Sequence, residues 1–297
     1  MERLLIVDGH NLLFQMFYGM PARIINENGV SIGGTLGFVG ALLKIIRMTQ
    51  PTHAVVLFDS ETGSGRAELD PEYKANRTDF SEMPEEETPF SQLPYIYAAL
   101  DSIGMAHAEA VGCEVDDIVA SYAYRYGEDC KVVISSFDSD FFQLISENVS
   151  VLRYRGSGTA IFTEETVREK FGIEPCRYAD FKSMTGDSAD NIRGADKIGP
   201  KTAAELISQF GTLDSIIENA ENIHKPSIRA SVIANAQRLK INYSMIKLDS
   251  HADMPFEPEK LAFSDGGMTT GEILRKIGLV NCQEKCNKLS NSWIHKS

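Results

Sequence analysis

Three apolar runs, two that stop at an aspartate and a third with aspartates a few residues on, set the tightest limit on what this chain can fold into. They are Arg3-Leu4-Leu5-Ile6-Val7 ending at Asp8, His53-Ala54-Val55-Val56-Leu57-Phe58 ending at Asp59, and Lys131-Val132-Val133-Ile134-Ser135. The third is followed within a few residues by Asp138-Ser139-Asp140. Short continuous apolar runs read as strands buried on both faces, which is the habit of parallel sheets. Helical patterns lie between them. Leu36, Val39, Leu42, Leu43 and Ile46 share one side of a stretch at 35–49, and Leu93, Ile96, Tyr97 and Leu100 do the same at 90–103. This alternation predicts an α/β fold with a mostly parallel central sheet covered by helices. Acids just past the carboxyl ends of such strands stand where open α/β sheets hold their ligands.

A chain of 297 residues with 43% hydrophobic and 24% charged residues is an ordinary globular composition, long enough for two domains. No apolar run reaches the roughly 18 residues needed to span a bilayer, so no membrane association is expected. The N-terminus meets Asp8 too early to be a signal peptide. Five scattered cysteines predict a reducing, cytoplasmic setting without a disulfide framework, and Cys282 and Cys286 lack partners for zinc. The net charge of −13 taken alone argues against a nucleic-acid partner, but acids gathered at one metal site and near 79–87 leave room for a basic face elsewhere.

After a β-hairpin at 149–154 and 159–162, the strand signal stops. Thr163 is a candidate N-cap with Glu164 and Glu165 behind it. Helical patterns follow at 164–172, 177–185, 200–209, 212–219 and 227–243. The expected organisation is an α/β core over 1–162, a helical region over 163–255 and a less patterned extension over 256–297. Within the helical region, Gly194-Ala195-Asp196-Lys197-Ile198-Gly199-Pro200-Lys201-Thr202 nearly matches a P-loop, but Pro200 intrudes and no strand precedes it. It reads instead as a hairpin between two helices. Its glycines let backbone N–H groups approach a phosphate, with Lys197 and Lys201 beside it.

Nine acids stand next to strand ends or helix starts: Asp8, Asp59, Glu114, Asp116, Asp117, Asp138, Asp140, Asp187 and Asp190. Most come from segments that meet at one end of a parallel sheet. Such a group repels itself unless cations neutralise it, and hard divalent ions with oxygen ligands, Mg²⁺ above all, are the natural partners. Two ions about 4 Å apart stabilise both oxygens of an in-line phosphoryl displacement. Tyr73, Lys74 and Arg77 add a cation-and-aromatic cluster suited to phosphates and bases. The segment 79–89 is acidic, carries Pro84 and Pro89, and reads as solvated.

These motifs resemble the 5′-nuclease (flap endonuclease) family, and within it the 5′–3′ exonuclease portion of bacterial DNA polymerase I. The resemblance rests on Val7-Asp8-Gly9, Phe58-Asp59, Tyr73-Lys74-Ala75-Asn76-Arg77, Glu114-Val115-Asp116-Asp117, Asp138-Ser139-Asp140 with Gln143-Leu144, Gly186-Asp187-Ser188-Ala189-Asp190-Asn191-Ile192 and Gly199-Pro200-Lys201-Thr202-Ala203. It implies a phosphodiesterase using Mg²⁺ or Mn²⁺ that cuts flap, nicked or branched DNA near 5′ ends in replication and repair, RNA primers included. By the same resemblance, one ion is held by acids drawn from Asp59, Glu114, Asp116, Asp138 and Asp140 with Asp8 nearby, and a second lies towards Asp117, Asp187 and Asp190. Lys74 and Arg77 contact the scissile phosphate at the base of a helical arch near 74–100, and Tyr73 stacks on or steers a base. Arg66, Lys197, Ile198, Gly199, Lys201 and Thr202 contact DNA, with K⁺ at the hairpin as in many relatives. The chain departs from the usual pattern at Gly65, Ser139, Ala189 and Arg193, none of which removes a carboxylate. Too short to carry a polymerase domain, it is expected to be a stand-alone, monomeric nuclease. The alternative, a structure-specific DNA-binding protein with weak catalysis, has no use for nine mutually repelling acids.

Overall fold

The computed structural model describes residues 2–20, 24–59, 66 and 70–280. Gly63 and Gly65, and residues 281–297 with Cys282 and Cys286, lie outside them. A six-stranded sheet runs β3-β2-β1-β4-β5-β6, where β1 is Arg3–Asp8, β2 His53–Phe58, β3 Ala106–Glu109, β4 Lys131–Ser135, β5 Val149–Arg153 and β6 Ala160–Phe162. All neighbours are parallel except β5 and β6. β1 pairs on one side with β2 (Ile6 opposite Val55) and on the other with β4 (Ile6 opposite Ile134).

Alternation along the strands decides which layer each residue joins. Leu5 and Val7 pack with Val56 and Phe58 against helices α1 (Gly9–Gly19), α2 (Gly33–Thr49) and α3 (Leu93–Ser102). Leu4 and Ile6 pack with Val132 and Ile134 on the opposite face, against α4 (Val115–Tyr126). The chain thus covers one face while building β1 to β3, then crosses to the other to place β4. The carboxyl ends of β1 and β4 flank the point where the winding reverses, which is where such sheets bind ligands.

The second core face runs on into the helical region: Val132 and Ile134 share one buried cluster with Val167, Phe181, Leu206 and Ile216. That region comprises α5 (Glu164–Phe171), α6 (Tyr178–Thr185), α7 (Pro200–Phe210), α8 (Leu213–Glu218) and α9 (Pro226–Ile246). Thr163 caps α5 by accepting from the N–H of Thr166, as its sequence predicts. The Gln143 side chain donates to the carbonyl of Ile246 (2.9 Å) and accepts from the N–H of Leu248 (3.1 Å), which docks the end of α9 on the core. After Ser139 the chain forms a single 3₁₀ stretch, Asp140–Leu144. In the segment 70–92 the backbone is turns and two short 3₁₀ pieces, and α-helix begins only at Leu93. The last helix among the described residues, α10 (Thr270–Lys276), packs on α2 and α3, with Ile273 fully buried. Among the described residues no helix is long and apolar enough to cross a membrane.

Between α6 and α7 the chain makes a two-residue hairpin, β7 (Gly186–Asp187) with β8 (Ile192–Arg193). Gly186 has φ +81°, and a Cβ there would come within 2.5 Å of the Gly194 nitrogen. A Cβ on Gly194 would in turn meet the Met184 carbonyl oxygen at 2.4 Å. Only glycine at both positions lets the two backbones touch. The Asn242 side chain of α9 closes the unit by donating to the carbonyls of Ser183 and Arg193, each at 2.9 Å.

Candidate active site

Asp8 ends β1 and caps α1, accepting from the N–H of Asn11 at 3.0 Å and from the Ser136 hydroxyl at 2.8 Å. The same hydroxyl accepts from the N–H of Asp138 (3.0 Å), so one serine ties the ends of β1 and β4 together. Asp59 follows β2 and accepts from the N–H of Val115 at 3.1 Å, at the start of α4. Asp116 comes from the first turn of that helix. Asp8, Asp59, Asp116 and Asp138 line one cavity of about 920 Å³, together with His10, Asn11, Lys74 and Arg77. Phe14, Tyr18, Phe80 and Phe90 form its apolar wall.

Crowding of the carboxylates shows in their proton affinity. Burial and the neighbouring Asp59 push Asp8 up to about 7. Burial first, then the charges of Asp138, Asp8 and Asp59, hold Asp116 well above the ordinary carboxylate range. A cation in this cavity relieves that repulsion, and the donors facing it are hard oxygens, which suits Mg²⁺ or Mn²⁺. As the side chains stand, no three acidic, histidine or cysteine groups among the described residues are gathered tightly enough to hold one ion between them. Mg²⁺ asks for less, since it keeps several waters and takes one or two carboxylates.

The other five predicted acids are engaged by protein cations. Arg66 forks between Glu114 (2.5 Å) and Asp117 (2.6 Å), and Lys74 also reaches Glu114 at 3.2 Å. Asp117 further accepts from the N–H of Asp249 at 2.9 Å, so it is held away from the cavity. Arg66, expected on the DNA, is instead a largely buried guanidinium. Its burial disfavours the charge, but Glu114 and Asp117 outweigh this and raise its pKa. Arg77 donates to Asp190 at 2.9 Å, and the Asp190 carbonyl accepts from the N–H of Lys74, whose φ is +58°. Tyr73, expected to stack on a base, packs beside Ala179, Ile192 and Met245, with the Lys74 ammonium 4.8 Å from its ring centre. Among the hairpin residues Ile198 is buried, Lys197 adopts φ +67°, Gly199 caps α7, and Lys201 is exposed in its first turn with Thr202 behind it.

One residue escaped the sequence reading. Lys182 of α6 is buried and forms close ion pairs with both Asp140 and Asp187. Burial opposes its charge, but Asp140, Asp138 and Asp187 hold its pKa above the usual lysine value. Asp187 is affected in the opposite sense: burial raises its pKa, Lys182 more than offsets this, and the carboxyl stays below its ordinary value. The signal available in the sequence was a lysine at a helical position flanked by Phe181 and Met184, where a solvated charge is out of place.

A doubly covered parallel sheet whose carboxyl edge gathers acids and cations, set above a helical hairpin region, is the architecture of a nuclease. Residues 3–172 match the 5′–3′ exonuclease N-terminal resolvase-like domain, and residues 173–267 match the 5′–3′ exonuclease C-terminal SAM fold. The chain belongs to the 5′–3′ exonuclease family, as its motifs indicated. It is 31% identical over 263 residues to the 5′–3′ exonuclease of Aquifex aeolicus (strain VF5), covering 88% of this chain and 86% of that one. It is 35% identical over 265 residues to DNA polymerase I of Rhizobium leguminosarum, covering 86% of this chain but only 25%, a quarter, of the polymerase. T5 5′-exonuclease with bound divalent metal ions (zinc) shares the fold at a TM-score of 0.68 and 24% identity, over 84% of this chain and 91% of that one. The catalytic core of Rad2 in complex with DNA substrate shares it at 0.60 and 14% identity, over 93% of each.

Proposed function

We propose that this protein is a divalent-metal-dependent phosphodiesterase that hydrolyses DNA near 5′ ends, as an exonuclease and flap endonuclease on flap, nicked or branched duplexes. One observation carries the reading: Asp8, Asp59, Asp116 and Asp138, drawn from three strand ends and a helix start, share one cavity with Lys74 and Arg77. The bound metal of the T5 relative and the DNA of the Rad2 core support it. In this reading residues 1–162 cut and 163–255 grip the duplex. The protein acts as a cytoplasmic monomer in replication and repair, on RNA primers as well as DNA.

One ion would rest on Asp59, Asp116 and Asp138 with Asp8, Glu114 and Asp140 near it; a second would lie towards Asp187 and Asp190, with Asp117 behind. Bound Mg²⁺ or Mn²⁺ supplies charge neutralisation and an activated water. Lys74 and Arg77 bind the scissile phosphate and orient it over the acids. Phosphate competes with Glu114 for Lys74 and with Asp190 for Arg77, so substrate binding releases Asp190 while Glu114 stays on Arg66. The hairpin of Lys197, Ile198 and Gly199, with Lys201 and Thr202, grips the duplex backbone and would hold K⁺ there. Lys74→Ala is expected to slow the chemical step more than it weakens binding.

The deciding experiment is an assay with and without Mg²⁺ on labelled flap, nicked and single-stranded DNA, sizing the products. Metal-dependent release of short 5′ products is expected; equal cutting in chelator would sink the mechanism. The capture of Asp140 and Asp187 by Lys182 favours, as a second reading, a DNA-binding protein with weak catalysis, for which the same assay shows binding without product.

A further inference from the structure

We propose that Arg153 binds a backbone phosphate of the nucleic-acid substrate at the β5 end of the sheet. The proposal rests on the nuclease reading above and adds a contact that no motif supplies.

Arg153 is the last residue of β5, one strand beyond β4 on the same carboxyl edge. Ser135 pairs with Leu152, and the N–H of Ser136 donates to the Leu152 carbonyl at 3.2 Å. Arg153 therefore stands level with Ser136, whose hydroxyl joins Asp8 to Asp138. Its guanidinium lies 4.6 Å from the ring centre of Phe142, 5.1 Å from Phe162 and 5.9 Å from Phe137. Three rings thus hold the cation in place before any ligand arrives, which lowers the ordering cost of binding.

No hydrogen bond or ion pair engages this guanidinium among the described residues. Nε is sealed from solvent without a partner, while the residue as a whole is only half-buried, so the terminal nitrogens reach the surface. Arg66, Arg77 and Lys182 behave differently, since each is spent on carboxylates. A purely structural role is the weaker account. A methionine or leucine fills an aromatic pocket without desolvating an unpaired charge, which costs free energy. A planar guanidinium that is rigid, unpaired and one strand from the reacting acids is shaped for a phosphate fork.

The test is binding of a labelled 5′-flap duplex by wild type, Arg153→Gln and Arg153→Lys over a salt series, with divalent ions chelated so that nothing is cut. Arg153→Gln is expected to lower the slope of log affinity against log salt by about 0.9, the loss of one phosphate contact, and Arg153→Lys to keep it. An unchanged slope in Arg153→Gln, whatever its melting temperature, overturns the proposal. Should the glutamine variant not fold, the wild-type protein answers alone: bound duplex is expected to shield Arg153 from phenylglyoxal, and full modification in the complex overturns the contact. Wild type that neither binds nor cuts DNA refutes the nuclease reading instead.

Discussion

The backbone N–H of Asp59 donates to Nδ1 of His10 at 3.0 Å, so a side chain from α1 fixes the end of β2. The donor is an amide, so Nδ1 accepts and the ring proton sits on Nε2. That nitrogen is buried with no partner among the described residues, in a ring edge-on to Phe14, Phe58 and Phe90. His10→Ala leaves the Asp59 amide unanswered, a loss of about 1 kcal/mol. The turnover rate is expected to fall up to about tenfold with duplex affinity unchanged; a fall in affinity alone would remove His10 from the positioning of Asp59.

Asp116→Asn removes one charge from a self-repelling group. Metal-free protein is expected to melt a few degrees higher, since about 1 kcal/mol is worth about 2–4 °C in a domain of this size. Cleavage is expected to drop more than about a hundredfold, because metal stabilisation of the transition state is worth several kcal/mol. Melting curves in chelator and single-turnover cleavage check the two halves separately.

Asp8 gives the pH dependence its sign. Its folded pKa of about 7 lies above the ordinary 3.8, so the folded state binds more protons between those values. Stability contributed by this group is then present at low pH and lost as pH rises towards 7. A divalent ion offsets that loss. The rise in melting temperature on adding Mg²⁺ is expected to be larger at pH 8 than at pH 6, and an equal rise at both would remove Asp8 from the metal's surroundings.

Lys182→Met leaves Asp140 and Asp187 facing each other without their shared cation. Breaking a buried pair in this way costs about 3–5 kcal/mol. The variant is expected to melt well below wild type in chelator and to recover part of the loss with Mg²⁺. Thermal melts in both conditions read this out, and no difference between them would mean that the two carboxylates never meet a metal.

Lys201→Ala removes an exposed cation from the first turn of α7. Duplex affinity is expected to weaken with a salt slope smaller by about 0.9, while turnover at saturation holds. Unchanged slopes would take the hairpin off the duplex.

The strands and the acids at their ends were legible because a buried parallel strand leaves a local mark and its next residue falls at a predictable edge. Asp8, Asp59 and Asp138 follow from that register, and Asp116 from the acidic helix start at Glu114-Val115-Asp116-Asp117. The partners of the remaining acids were not legible. Arg66 meets Glu114 across 48 residues, and Lys182 meets Asp140 across 42. The second meeting depends on how the helical region docks and the first on how two distant segments of the core come together, and no local period encodes either. The 3₁₀ turn at Asp140–Leu144 was likewise hidden, since Phe141 and Phe142 are placed by core packing rather than by a helical stripe.

The mutual contact of Gly186 and Gly194 has a mechanical consequence. Through it, the helix carrying Lys182, the acid Asp187 and the loop leading to Lys201 are joined by direct backbone contact. If the hairpin grips the duplex as proposed, a backbone held at Lys201 would stand at a set offset from Asp187, and the chain would carry its own measuring rod, with the point of scission counted from the grip.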